Sequence, residues 1–321
     1  MENDPGSSFS CCRIVSYLPE ITYSTDEYPC ARDSQGGLQL SGRGFPELEA
    51  VFDNHFHLRE DGLFLEAVRQ FRKEGGTCIN LTSLPDHELG VDGYYQKIYD
   101  RTVRMAARIR NETDVKVVVT VGPYPLDYFL FRDAGREPVS EMTLGIELAA
   151  KLVSEGVADA IGEVGRPHFP VDETVYSASN MVMSRAMQSA REAGCPVILH
   201  TEDLDCNRIL ELERISLDAG IRPEMVVKHH SDPLTLPCRS GIVHSVLATR
   251  PNIREAISSG KGFMMETDYV DDPLKPGKVI APFSVPRRAR AVMQENENWY
   301  DILHESFIKI PGRLYGIDRI L

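Results

Sequence analysis

The stretch VFDNHFHLRED, residues 51–61, runs from an apolar entry through two histidines one residue apart to a charged exit. A β-strand has a side-chain period of two, so His55 and His57 share one face and Phe56 takes the other. Two imidazoles converging at a strand end are half of a metal site or a pair of satisfied core histidines. The rest of the chain decides between them.

Downstream of this stretch, short β-branched runs alternate with runs carrying apolar residues at i, i+3 and i+4. The pattern predicts strands near 51–55, 77–82, 115–121, 158–163, 196–200, 224–229, 241–247 and 262–267. It predicts helices near 63–74, 93–111, 140–154, 176–193, 206–219 and 252–259, with a helical C-terminus from about 286. Several of these helices stop at glycine (Gly75, Gly194, Gly220, Gly260), as expected for a C-terminal cap. Eight strands alternating with helices require parallel pairing with right-handed crossovers. The expected fold class is therefore α/β, a (β/α)8 TIM barrel with its site at the strands' C-terminal ends. A doubly wound open sheet is the alternative, and no G-x-G-x-x-G follows the first strand to support it.

The C-terminal ends of the expected strands carry one kind of chemistry. Strand one ends at His55 and His57, strand four at Glu163 in AIGEVG, and strand five at His200 in PVILHTED. Strand six ends at VVKHHSD and strand eight at Asp268 in METDY. Adjacent strand residues face opposite sides, so one of His229 and His230 points inward. His229 is the nearer to the strand end, with His230 as the alternative. Four imidazoles and two carboxylates then gather at one rim, a nitrogen and oxygen set suited to a pair of divalent ions. Such a pair acidifies water at neutral pH and clamps a hydrolytic transition state. Asp268 is placed to take the proton from that water and hand it to the leaving group.

Composition bounds the rest. The 321 residues are 42% hydrophobic and 26% charged, normal for a globular protein, with a net charge of −13. An acidic surface repels polyanions, so a nucleic-acid partner needs a local basic patch or metal ions at the site. No apolar run of about 18 residues and no signal-like leader stands out, so a soluble, cytoplasmic chain without membrane contact is expected. The seven cysteines form no CxxC pair and read as reduced thiols. Residues 1–48 are rich in Ser, Gly, Pro and Asp and lack Lys. They read as a poorly ordered N-terminal extension or loose lid, RIVSYLP and GLQLSG being able to pair as short strands, before a hydrolase domain over 49–321. His244 reads as structural, Met181, Met183 and Met187 as core, and RRAR at 287–290 as a solvated helix face.

With these residues in place the chain resembles a known family. NHFH at the first strand, GEVG at the fourth, ILHT at the fifth, a histidine at the sixth and ETD at the eighth resemble the TatD-like metal-dependent hydrolases of the amidohydrolase superfamily. The resemblance covers about residues 51 to 321. It implies that His55, His57, Glu163, His200, His229 and Asp268 hold two divalent ions (Zn, Mn or Mg), with Glu163 bridging them. Many related barrels bridge with a carbamylated lysine, and the glutamate here places the chain with the TatD-like branch. Family members are commonly described as DNases, some with 3′ exonuclease activity.

Two departures bear on the substrate. Where the family has VG-x-H-P after strand three, this chain has VGPYP, putting Tyr124 at the histidine position. Where the family has GLD after the bridging glutamate, this chain has GRPHFP, so Arg166 and His168 are candidate substrate contacts. Arg166 alternatively pairs with a neighbouring acid. The loops LPDHELGVDGYY and GPYPLDYFLFRDAGREP are expected to overhang the rim. The leading expectation is a binuclear phosphodiesterase or deoxyribonuclease acting on a DNA end or small phosphodiester. The alternatives are an amidase, lactonase or esterase on a small anionic metabolite, and a metal-binding barrel without catalysis. Oligomeric state stays open.

Overall fold

The computed structural model describes residues 48–272, 274 and 280–321. The extension expected over 1–48, with its two strand-like pieces, lies outside the described residues apart from Leu48. The chain then runs β1 (Phe52–His57), α1 (Leu65–Lys73), β2 (Cys78–Thr82), α2 (Tyr94–Glu112), β3 (Lys116–Val121), α3 (Asp127–Asp133) and α4 (Pro138–Ser154). It continues β4 (Ala160–Gly165), α5 (Glu173–Ala193), β5 (Val197–His200), α6 (Cys206–Asp218), β6 (Val226–Lys228), β7 (Val243–Leu247) and α7 (Arg250–Ser258). Last come β8 (Met264–Glu266), β9 (Tyr269–Val270), α8 (Ser284–Glu295), α9 (Tyr300–His304), a π-helical turn (Glu305–Lys309) and α10 (Ile310–Tyr315).

All pairings are parallel, in the order β8-β7-β6-β5-β4-β3-β2-β1-β9. Because β9 follows β8 after only Thr267 and Asp268, its pairing with β1 brings the two edges together. This is the α/β, TIM-like fold expected from the alternation. Two elements were not legible in the sequence. The loop expected over 122–138 contains α3, and the eighth strand breaks at Asp268 into β8 and β9.

The strands are buried on both faces, and alternate residues serve different cores. Ile79, Leu81, Val117, Val119, Ile161, Leu199 and Val226 pack with the surrounding helices. Phe52, Cys78, Val118, Ala160, Ile198 and Val227 pack with one another and with α8 to α10. Above that apolar floor, Tyr315 Oη donates to Asn54 Oδ1 (2.9 Å), Asn80 Nδ2 to the Asn54 carbonyl (3.0 Å) and Thr120 Oγ1 to Asn80 Oδ1 (2.7 Å).

Two further expectations are corrected. The thiols of Cys206 and Cys238 are joined in a disulfide, with Cα atoms 5.4 Å apart, and Cys78 and Cys195 are free and buried. A bond spanning 32 positions leaves no local spacing to read. Met183 and Met187, one helical turn apart, are buried on α5, whereas Met181, two residues off that face, is 57% exposed. The RRAR face is solvated as expected: Arg287 and Arg290 are exposed, and both bond Glu74 just after α1, tying α8 to it.

Candidate metal centre

His55 and His57 reach the barrel interior through a break in strand register. β1 pairs Phe52 with Cys78 and Phe56 with Leu81, and the register shifts between Asp53 and Phe56. Without that shift Phe52 and Phe56 would share a face. With it, Phe52 joins the floor of the barrel, Phe56 joins the helical core, and both histidines face inward. The glycines of GEVG serve close approach: Gly165 has φ 142°, and a Cβ there would collide with the His200 carbonyl.

Glu163 sits at the middle of the cluster. Its Oε1 faces His57 Nε2 at 3.6 Å, and its Oε2 faces His229 Nε2 at 2.9 Å, His200 Nδ1 at 3.1 Å and His55 Nε2 at 3.6 Å. His55 Nε2 and His57 Nε2 are 3.1 Å apart, and Asp268 Oδ1 lies 4.0 and 3.8 Å from them. His200 Nδ1 and His229 Nε2 are 3.0 Å apart. Three groups could each hold an ion: His55, His57 and Asp268 on one side of Glu163, Glu163 itself with His200 and His229 on the other, and His55, His229 and Glu266 behind them. Donors tetrahedrally placed about 2.0–2.1 Å from one ion stand about 3.3 Å from each other. The observed separations straddle that value, so the donor set fits divalent ions.

The electrostatics point the same way. Burial opposes charge on Glu163, but His229 and His200 prevail and hold its carboxyl well below the usual range. Burial likewise opposes charge on His229, yet Glu163 on one side and Glu266 on the other raise it to about 10. Burial lowers His200 to about 4 and also depresses His57. The cluster demands a positive charge among Glu163, Glu266 and Asp268 while leaving His57 and His200 neutral, a demand that divalent cations meet.

Both histidines of the VVKHH stretch approach the rim. His229 belongs to the buried cluster. His230 leaves the strand with φ 47° and brings Nδ1 to 3.3 Å from Asp268 Oδ2 while its side chain stays 53% exposed. Asp268 has φ 49°. Left-handed backbone at non-glycine residues is uncommon and concentrates at functional sites, and His and Asp are among the side chains that tolerate it best. A strict two-residue alternation hid the approach of His230, because alternation ends where the strand does.

Of the outer candidates, Tyr124 and His168 lie against the cluster and Arg166 does not. The Tyr124 ring is 5.1 Å from that of His200, and His168 Nδ1 is 3.3 Å from His200 Nε2. Arg166, 1% exposed, is consumed within the wall: Nε donates to Asn180 Oδ1 (2.8 Å), Nη2 to Glu211 Oε1 (2.8 Å) and Nη1 to Glu202 Oε1 (3.2 Å). Its guanidinium also lies 4.5 Å from the Tyr176 ring centroid.

Residues the sequence did not single out support the imidazoles from behind. His57 Nδ1 meets the Thr82 carbonyl at 3.1 Å, which points Nε2 inward. Glu266, fully buried, accepts from the His230 amide (2.7 Å) and faces His229 Nδ1 at 3.4 Å. Lys228 Nζ donates to the carbonyls of His229 (2.6 Å) and Thr201 (3.4 Å), tying β6 to the end of β5. Asp127, also buried, accepts from the Tyr124 amide (3.0 Å), Tyr94 Oη (2.9 Å) and His87 Nε2 (3.1 Å), fixing the loop that carries Tyr124. Glu266 stands in the quoted ETD, but nothing in its spacing separates a supporting carboxylate from a ligand.

The family model for TatD-related DNases matches residues 52–316, from the first residue of β1 to the end of α10. The chain belongs to that family. The uncharacterized protein MJ1127 of Methanocaldococcus jannaschii is 33% identical over 278 residues, covering 84% of this chain and 96% of its own length. Two solved structures share the fold at 16% identity. One is YJJV, a TatD homologue from Escherichia coli K12 (TM-score 0.56, covering 83% of this chain and 98% of that one). The other is a mutant phosphotriesterase-like lactonase from Deinococcus radiodurans (TM-score 0.59, 83% and 95%). The TatD-related chain is thus a metal-dependent hydrolase, with His, Glu and Asp groups at the barrel mouth that can bind metal. Among the described residues no helix is long and apolar enough to cross a membrane.

Proposed function

We propose that this TatD-type hydrolase holds two divalent ions and cleaves a phosphodiester, with a DNA end as its substrate. The observation that carries the reading is the position of Glu163, one carboxylate standing between the ligands on either side. His55, His57 and Asp268 would hold one ion, His200 and His229 the other, and Glu163 both. His230 remains outside the ligand set, at the solvent side of Asp268. The nitrogen and oxygen donors admit Zn, Mn or Mg. When bound, the ions supply Lewis acidity and acidify the attacking water.

The protein's own groups do the rest. Asp268 accepts the proton of that water and returns it to the leaving oxygen. Burial and the nearby Glu163 charge push the Tyr124 hydroxyl well above its ordinary pKa. It therefore stays a hydrogen-bond donor for a phosphate oxygen, where the family pattern has histidine. His168 donates beside it. The catalytic barrel corresponds to 49–321 and is cytoplasmic, with 1–48 as an extension.

A second reading keeps the metals and changes the bond to an amide, ester or lactone of a small anionic metabolite. The engagement of Arg166 with Glu202 and Glu211 favours it, since that cation is withdrawn from phosphate contact. Nucleotide release from a short single-stranded DNA in Mn or Mg separates the two readings. Wild type should release nucleotides and Asp268→Asn should fall by about 10³-fold or more, the scale of a lost proton acceptor and ligand together. A folded, metal-loaded wild type that releases nothing would transfer the site to the second reading.

A further inference from the structure

Beside the candidate centre a line of rings runs outward from His168, and beyond that residue the hydrolytic chemistry does not use it. His168 meets His200 with ring centroids 5.4 Å apart. Phe169 stands against His168 at 5.3 Å, edge to face at 89°. Phe129 lies beyond it at 6.2 Å, with ring planes within 23° of each other. The Arg132 guanidinium closes the line 4.9 Å from the Phe129 centroid. The rings come from two elements that both rise over β3 and β4: α3 supplies Phe129, and the loop after β4 supplies His168 and Phe169. Both lie in segments that replace or extend the usual family text.

We infer that Phe169 and Phe129, reached from the centre through His168, form a stacking subsite for the nucleobase adjacent to the phosphodiester being cut. This rests on the phosphodiesterase reading above. Phe169 is 37% exposed although it belongs to a run of rings at the barrel mouth, so an apolar face is left in water beside the metal centre. No packing role accounts for that exposure, whereas a stacked base would cover it. Every base offers a π-face, so such a platform holds a strand end without reading its sequence. Arg132 is paired with Asp133 and backs Phe129 as a cation over a ring, so the shelf adds little net positive charge. On a chain of net charge −13, attraction to a strand end would come from stacking and from the metal ions, not from a basic groove.

The test uses the full-length, metal-loaded protein and two short single-stranded oligonucleotides that differ only at the terminal residue. One carries a base there and the other an abasic sugar. Wild type should prefer the first by about tenfold in kcat/KM, a typical gain for one stacked base. That ratio should fall below about twofold in Phe169→Ala and return in Phe169→Trp. A terminal 2-aminopurine, whose fluorescence is quenched on stacking, reports binding without cleavage. Equal cleavage of both oligonucleotides by wild type, or a preference that survives Phe169→Ala, overturns the subsite and leaves the nuclease reading standing. Quenching that depends on Phe169 in a protein that cuts neither oligonucleotide supports the subsite and overturns the nuclease reading. Neither quenching nor cleavage overturns both.

Discussion

Arg166 shows how one residue carries two opposed expectations until its neighbours are known. In sequence it follows the glutamate at the end of the fourth strand and resembles a phosphate contact. In the fold its guanidinium meets Asn180, Glu202 and Glu211 and is almost fully buried. Removing one partner of a buried pair strands the other charges, at a cost of about 3 kcal/mol or somewhat less where water reaches the acids. Arg166→Met should therefore lower the melting temperature by several degrees and leave KM for the accepted substrate within about twofold. A raised KM with unchanged melting would return Arg166 to the substrate. His244 makes a pH-dependent case at the same scale. Its Nδ1 meets Ser231 Oγ at 2.7 Å, and burial, reinforced by the charges of Lys228 and Lys261, lowers its pKa to about 4. A base depressed below its free value of about 6.5 is neutral in the fold. The stability it contributes is present above pH 6.5 and lost as pH falls towards 4, amounting to about 3 kcal/mol. Denaturant titrations at pH 7 and pH 4 should show this loss in wild type and a smaller loss in His244→Asn.

Between residues and barrel lie the elements, and here the sequence was legible in proportion to its periodicity. β1 to β8 fall within two residues of the expected ends because strands buried on both faces read as short apolar runs. Helix α3 was hidden because its seven residues, DYFLFRD, are too few to show a helical period. The ligand candidates were visible because each stands at a strand end, where the barrel geometry brings them together. Supporting groups such as Thr82, Glu266 and Asp127 were not, because a backbone carbonyl or a buried carboxylate carries no spacing signal. The Cys206–Cys238 bond belongs to this class, since it depends on how α6 meets the turn before β7. It closes a 32-residue loop that contains β6, His229 and His230. Loop-closure entropy assigns such a link about 3–4 kcal/mol. Cys206→Ser should lose roughly that much stability, and the purified wild type should resist alkylation at Cys206 until reductant is added. Ready alkylation without reductant would restore the reduced pair expected from composition.

At the scale of the whole molecule, the barrel is closed at one end by apolar packing and charged at the other. Phe52, Phe307 and Tyr315 belong to the floor, with α8 to α10 packed beneath it. At the mouth, Glu163, Glu266 and Asp268 stand among His55, His57, His200 and His229, nearly all of them buried. Three carboxylates in so small a volume repel one another unless a cation stands between them. Stability should therefore be linked to metal far more strongly than the small size of the site suggests. Ions present at 100 times their dissociation constant add about 2.7 kcal/mol. For a chain of this size that corresponds to a rise of roughly 5–10 °C in melting temperature. Chelation should remove the rise, and Mn, Mg or Zn should restore it. Glu163→Gln should abolish most of the restoration, because the ligands on either side lose the carboxylate that stands between them. His230→Ala should retain it, since His230 contacts Asp268 from the solvent side and joins none of the three groups. Elemental analysis of the same samples should give two ions per wild-type chain. A wild type whose melting is indifferent to chelator would show that the histidines and carboxylates neutralise one another by sharing protons. In that case the raised pKa of His229 describes the working state of the site, and the metal centre fails as an account of it.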